Sequence, residues 1–448
     1  MKDKITNLIN KPAFYPAITI FALLFQWVII AITSVNVPQG DEWENLVEHG
    51  LPQGFSWKYL FAFHNEHRVV FTKLFNYIFL VTSDWNLKNQ IIANYLVWSA
   101  VVLFLLYVQK KYIPNATKGL WILVFFLASP LLIDNHNWGF QVCFHFFLLF
   151  GLLSVFVLSR RRMPQPQKQM GVGWATLLAS VLALLSLYSF SAGMFFALTC
   201  LVMIAVILFS EKGLSKKDLS ITLFSVLVLL GGMGLWFVGY EKPLNHPPFI
   251  MPYTWTFWTF LTNLISLGFG YKTSSIPIAF IAGGLVFFVL WKSLRKALWF
   301  REPYFVFAFF SSMALLGSFV SITLSRAGFG LGQAKTSRYG EIGVLLMIFV
   351  GWLFWDYCRG SEVRARAYKY FIWFVFLGFA GEYSYKGYFT VAEERRESLA
   401  CVLKYYQGEN PKAECPATYP GSLADKLEVA KRMNLSWGQG QFQKSNEK

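Results

Sequence analysis

Runs of about twenty apolar residues, separated by short polar segments, constrain this chain more than any other feature. A helix of about 20 residues crosses a ~30 Å hydrocarbon layer. Within that layer the backbone must satisfy its own hydrogen bonds, which leaves the helix as the natural spanning form for such runs. Eleven spans are expected, at roughly 15–36, 90–108, 119–134, 141–159, 172–190, 193–210, 219–240, 275–291, 303–325, 342–357 and 370–386. Only 14% of the 448 residues are charged, against about 25% in soluble domains. That excludes a soluble enzyme, a disordered chain and a disulfide-stapled mini-protein. The expected fold class is an all-α polytopic membrane protein.

The positive charges set the sidedness. Segments 1–14, 109–118, 160–171, 211–218, 292–302 and 358–369 are short and basic. They carry Lys2, Lys4 and Lys11; Lys110, Lys111 and Lys118; Arg160, Arg161, Arg162 and Lys168; Lys212, Lys216 and Lys217; Lys292, Arg295, Lys296 and Arg301; and Arg359, Arg364, Arg366 and Lys369. The positive-inside rule puts them in the cytoplasm, with the N-terminus inside and the C-terminus outside. The net charge of +16 then reflects sidedness, and a nucleic-acid partner is not expected. The first run is too long for a signal-peptide core and reads as an uncleaved signal anchor.

Two apolar stretches read as interfacial helices rather than spans. In 67–83, polar Arg68, Thr72 and Asn76 recur every fourth residue opposite Phe71, Leu74, Phe75 and Ile78, the pattern of a helix lying along the membrane surface. The Trp- and Phe-rich stretch 255–271 is read the same way. The membrane region is expected over 1–386, with its first outer loop at 37–88. A soluble tail over 387–448 reads as a small helical cap, with helices near 391–407 and 421–433. Cys143, Cys200 and Cys358 fall in or beside spans. Cys401 and Cys415 fall in the outer tail, where a disulfide is expected, free thiols being the alternative.

The titratable groups are sided too. Asp41, Glu42, Glu44, Glu48, Glu66, Asp84, Asp134 and Glu241 map to outer loops, and Glu341 and Glu382 to outer span ends. All six histidines (His49, His64, His67, His136, His145 and His246) do the same. Such clustering points to a site at the outer face. Its densest part is the first outer loop. Asp41-Glu42 can supply a general base to a hydroxyl, bind a divalent cation through oxygen, or simply open a helix. In His64-Asn65-Glu66-His67-Arg68 the histidines are three apart, so the H-E-x-x-H zinc motif is absent. A two-histidine site or a hydrogen-bonding cluster remains, with Arg68 available to a phosphate.

A second cluster runs from Ser325 to Gly340, Gly-rich and carrying Arg326, Lys335 and Arg338. It suits a phosphate head group, though it lacks a P-loop ending. A flexible loop with Arg338 anchored to lipid phosphate is the plainer reading. Asp134-Asn135-His136-Asn137-Trp138 and Asn245-His246-Pro247-Pro248 suit sugar recognition or an interfacial aromatic belt.

A span followed by an outer loop that opens on an acidic pair, then an interfacial helix, resembles the GT-C glycosyltransferase superfamily. Asp41-Glu42-Trp43, His64-Asn65-Glu66-His67-Arg68, Ser337-Arg338-Tyr339 and the Cys-bearing tail are similar to bacterial O-antigen glucosyltransferase-like transferases. The resemblance implies a GT-C-like bundle in the bacterial inner membrane with a periplasmic active site. It implies a polyprenyl-phosphate-sugar donor and inverting transfer to a hydroxyl of a glycan or protein acceptor. Asp41, with Glu42 beside it, corresponds to the family's base, and Arg338 to the cation on the donor phosphate. Trp43, His64, Asn65, Glu66, His67, Arg68, His136, Lys335 and Tyr339 would line the substrates. Some members use a divalent cation, magnesium or manganese, for which Asp41, Glu42 and Glu66 are the carboxylates at hand. An O-antigen polymerase or ligase, or a lipid-linked sugar flippase or transporter, is the alternative. The long acidic loop directly after span one argues against the former, and span interiors without basic residues against the latter.

Overall fold

The computed structural model describes residues 13–47, 50–113, 117–160, 170–211, 213–243, 246–271, 276–298, 302–382 and 384–437. Lys2, Lys4, Lys11, Glu48, His49, Arg161, Arg162, Lys168, Lys212, Asn245 and Arg301 lie outside these residues. The fold is all-helical, and the described residues form no strand. In chain order the α-helices are α1 (Phe14–Thr33), α2 (Trp57–Phe61), α3 (Val70–Ser83), α4 (Leu87–Tyr112), α5 (Lys118–Phe125) and α6 (Ile133–His136). There follow α7 (Val142–Ser159), α8 (Val172–Leu187), α9 (Met194–Ser210), α10 (Lys216–Phe237), α11 (Trp255–Gly268) and α12 (Ile276–Leu298). The last are α13 (Pro303–Arg326), α14 (Gly340–Cys358), α15 (Glu362–Glu382), α16 (Lys386–Tyr406) and α17 (Ala424–Arg432).

Local chemistry starts several of them. The Asn86 side chain accepts the Asn89 amide at the head of α4, and Ser215 accepts the Asp218 amide at the head of α10. Thr254 caps α11, and Pro303, which has no amide hydrogen to lose, opens α13.

Among the described residues, nine helical stretches are long and apolar enough to cross a membrane. This is a multi-pass membrane protein. The nine are Phe14–Thr33, Leu87–Tyr112, Lys118–His136, Gly139–Ser159, Ser191–Ser210, Lys216–Phe237, Ile276–Leu298, Pro303–Phe329 and Ser337–Cys358. Two of the eleven expected spans are not among them. The fifth is α8, only 16 residues long. The eleventh is α15, whose first turns carry Arg364, Arg366 and Lys369. Helix α8 nonetheless runs parallel to α10: Gly173 N donates to Asp218 Oδ1 at the start of α10, and Tyr188 OH to Gly232 O near its end.

The two stretches read as interfacial differ from one another. Helix α3 turns its polar stripe inward: Thr72, Lys73 and Asn76 are buried, while Ile78 and Val81 are exposed. In a membrane protein the apolar face meets lipid, so the polar face packs on protein. Asn76 accepts a 2.6 Å hydrogen bond from Gln90 of α4. Helix α11 corrects the expectation. It is buried on almost every side, from Phe257 to Gly268. At Gly268 its backbone touches Gly343 of α14, where an added Cβ would lie 2.2 Å from the Gly343 carbonyl carbon. Small residues allow such close backbone approach between membrane helices. Helix α11 is therefore part of the bundle core and does not lie on its surface.

Two cores result. The larger joins the spanning helices. The smaller joins the 37–88 loop to the tail: Val37, Trp43, Leu46, Leu51 and Trp85 pack with Val402, Leu423, Leu427, Leu435 and Trp437. Cys401 and Cys415 are disulfide-bonded within it. Backbone bonds from Gly40 N to Thr418 O and from Ser436 N to Asp84 O stitch the two segments together. The tail thus shares its core with the loop.

Candidate functional site

A cavity of about 620 Å³ opens where the starts of α7, α9 and α14 meet the ends of α10 and α13. Its titratable lining is Asp41, His64, Glu66, His67, Lys242, His246, Arg326 and Arg338. The facing wall is aromatic, with Phe140, Phe144, Phe190, Phe195 and Trp236. Exposed Phe237, Phe249 and Met251 lie at its edge.

Asp41 follows Gly40, whose φ of +46° lies in the left-handed region that favours glycine and whose amide is tied to the tail. The Asp41 carboxylate remains 42% exposed and lies 3.8 Å from His64 Nε2. Burial raises its pKa, but the His64 ring beside it and the charge on Arg338 outweigh that. The carboxyl is held below its usual range. Opposite, Arg338 buries its Nε without a hydrogen-bond partner. Its carbonyl accepts from Asn135 Nδ2, and Ser337 Oγ accepts the Asp134 amide. The α6 segment therefore fixes the position of Arg338.

Glu66 organises the other wall. It pairs with Arg326 and lies 3.4 Å from His67 Nε2 and 3.5 Å from His246 Nδ1. His67 Nδ1 meets Ser191 Oγ at 2.6 Å. Burial pushes the His67 pKa down to about 3, and the charge on His64 adds to this. His67 is therefore neutral at physiological pH, and Arg326 is the cation that balances Glu66. Asn65, at φ +50°, and Tyr339 complete this part of the lining.

Several expected residues lie elsewhere. Glu42 is turned away from the cavity, accepting the Gln39 and Phe140 amides at 2.9 and 3.0 Å. Burial pushes its carboxyl up to about 7 against the pull of these amides and of Arg395. Trp43 is in the loop–tail core, edge-on to Trp437. Arg68 stacks on Phe63 and donates to the carbonyls of Phe61, Trp236 and Val238, so it ties loops together instead of meeting a phosphate. Lys335 ends a short 3-10 turn and is not in the lining.

His136 is also absent from the cavity. It lies fully buried beside His145 and Glu341: His136 Nε2 is 3.3 Å and His145 Nε2 2.9 Å from Glu341 Oε1. Among the described residues, these three are the His, Cys, Asp or Glu group whose ligand atoms converge, all within 4.8 Å of one another. Asp41, Glu42 and Glu66 do not converge. Asp41 faces the cavity, Glu42 holds backbone amides and Glu66 holds Arg326.

Sequence reasoning assigned no role in the site to Lys242 or to Arg395, the buried tail residue that donates to Asn137 O. Nothing in a linear reading brings α16 to the first loop. Compared with known proteins, the chain matches no family model, no curated protein and no solved structure.

Proposed function

We propose that this protein is an integral membrane glycosyltransferase of the GT-C type, taking a sugar from a polyprenyl-phosphate donor to an acceptor hydroxyl. One observation carries the reading. A partly exposed carboxylate, Asp41, shares a cavity with Arg338 and Arg326, and that cavity has an aromatic wall ending in exposed apolar side chains. The acid suits a hydroxyl, the arginines a phosphate and the apolar edge a lipid tail.

In this mechanism Asp41 takes the proton of the acceptor hydroxyl, and the oxygen attacks the anomeric carbon from the face opposite the phosphate. The carbon–oxygen bond to the phosphate breaks as the new glycosidic bond forms, with inversion. The polyprenyl phosphate leaves with the electron pair, its charge held by Arg338. His64 stands beside Asp41, and Glu66 holds Arg326 in place. No step needs a divalent cation.

The same proposal puts the chain in a bacterial inner membrane with the cavity on the periplasmic side. The end of the bundle opposite the cavity carries Lys110, Lys111, Arg160, Lys216, Lys217, Lys296 and Arg359, as the positive-inside rule asks of a cytoplasmic face. Eleven crossings follow if α8 and α15 also span, which the parallel course of α8 beside α10 supports. The test is the mass of surface glycans and envelope proteins from intact cells expressing the gene or its Asp41→Asn form. A sugar-sized increment that appears only with the unaltered gene is the expected result. An equal increment with both would remove Asp41 from the chemistry. No increment, with altered glycan chain length or lipid-linked precursors instead, would replace the reading with a polymerase or flippase.

A further inference from the structure

We propose that His136, His145 and Glu341 bind a zinc ion that pins the loop carrying Arg338 to the helical bundle. This rests on the donor set and not on the transferase reading.

The argument starts from the hydrogen bonds around each ring. His145 Nδ1 lies 3.0 Å from the Asn94 carbonyl oxygen, which can only accept. Nδ1 therefore carries the proton, and neutral His145 presents a bare Nε2 to Glu341 Oε1 at 2.9 Å. Two acceptors at that distance need a cation or a proton between them. A backbone carbonyl on the far nitrogen is the usual outer support of a metal-binding imidazole.

His136 is supported the same way. Its Nδ1 meets Tyr388 OH at 2.8 Å and the Gln26 side-chain amide at 3.2 Å. The two ends of an amide are assigned from their neighbours. With the Gln26 oxygen toward Tyr388, Tyr388 OH donates to Gln26 and His136 Nδ1 donates to Tyr388. Tyr95 OH then accepts from Gln26 and donates to the Leu23 carbonyl, 3.3 Å away. That arrangement gives up the Gln26 Nε2 bond to the Ser129 carbonyl and leaves His136 Nε2 free as a ligand. That atom is buried and makes no hydrogen bond.

Glu341 Oε2 favours a metal over a proton. It is buried with no donor in reach. A proton shared through Oε1 leaves it bare, whereas a cation held by both carboxylate oxygens does not. The two separations from Oε1 fit too. Tetrahedral zinc at 2.0–2.1 Å from each ligand puts ligand atoms about 3.3 Å apart, and the observed separations from Oε1 are 2.9 and 3.3 Å. All three side chains are wholly buried. The His145 ring stacks on Trp98, and Tyr95 meets the His136 ring edge-on. Two imidazoles and a carboxylate are a donor set that zinc takes; with both Glu341 oxygens bound the coordination number is four, which leaves none of the open positions that non-haem iron sites of the same ligands keep.

The ion would join α6, α7 and α14 just where Asn135 and Asp134 hold Arg338 and Ser337. The experiment is elemental analysis of the full chain, purified in detergent without chelator, beside a protein-free blank. About one zinc per chain is expected. It should be lost in Glu341→Gln and held about tenfold more weakly in Tyr388→Phe, which leaves all three ligands in place. Removing the metal with a chelator should lower the melting temperature, and adding zinc back should restore it. No metal above the blank in folded protein, with no thermal response to zinc, would overturn the proposal in favour of a shared proton. Zinc retained equally in Glu341→Gln, or one equivalent of iron instead, would overturn it as well.

Discussion

Trp437→Ala tests whether the tail holds the loop that carries Asp41. Trp437 is fully buried, 5.2 Å from Trp43 and 6.2 Å from Trp85 between ring centroids. A buried tryptophan side chain removes about 150–250 Å² from water, or about 4–6 kcal/mol at ~25 cal/mol per Å². Its Nε1 is buried without a partner, a cost of about 1–3 kcal/mol that alanine relieves. The net loss is about 1–5 kcal/mol, and the open form of the loop–tail core should become roughly 5- to 4000-fold more populated. Because this core is separate from the bundle core, the change should stay local. Hydrogen exchange on the full chain in detergent should show faster exchange in 402–437 and in the first outer loop. Helices α13 and α14 should remain protected. Transfer activity should fall, because Gly40, next to Asp41, loses its bond to Thr418. Unchanged exchange in the tail, or loss of protection across the bundle, would refute the two-core reasoning.

Two other outcomes are expected. Arg338→Ala should raise the donor concentration needed for half-maximal transfer at least tenfold, with Arg338→Lys intermediate because lysine restores a charge but not a planar donor set; unchanged donor dependence would sink the phosphate role. Glu42 has its carboxyl raised from 4.5 to about 7, so the folded state binds the extra proton between those values. Its contribution to stability is complete below about 4.5 and is lost as the pH rises toward 7. Melting curves of Glu42→Gln against pH should lack that decline, and an identical pH profile in both proteins would show that Glu42 does not titrate in this window.

The solvent and the building material are legible in the order of the amino acids. Apolar runs longer than a bilayer is thick, separated by basic segments, leave a helical membrane bundle as the consistent outcome, because lipid leaves the backbone few other ways to satisfy its hydrogen bonds. The gathering of acids and histidines in the outer segments was equally legible, since charge is avoided in the lipid and the side chains have to be somewhere. Asp41, His64, Glu66, His67, Arg326, Arg338 and Tyr339 do line one cavity.

Packing settles which neighbours each polar group meets. Asp41 and Glu42 are adjacent in sequence, yet the 3-10 turn from Gly40 to Leu46 points one into the cavity and the other at buried amides. Arg68 and Arg338 both read as phosphate ligands, but carbonyls from another loop occupy Arg68. The apolar pattern of α3 and of α11 looks alike because hydropathy cannot tell a face turned to lipid from one turned to another helix; both are apolar. His136, His145 and Glu341 are separated by as many as 205 residues in numbering, and no local spacing announces a site whose ligands come from three helices. Hydropathy and charge act residue by residue along the chain, whereas pairing acts across it, and only the packed bundle brings the pairs together.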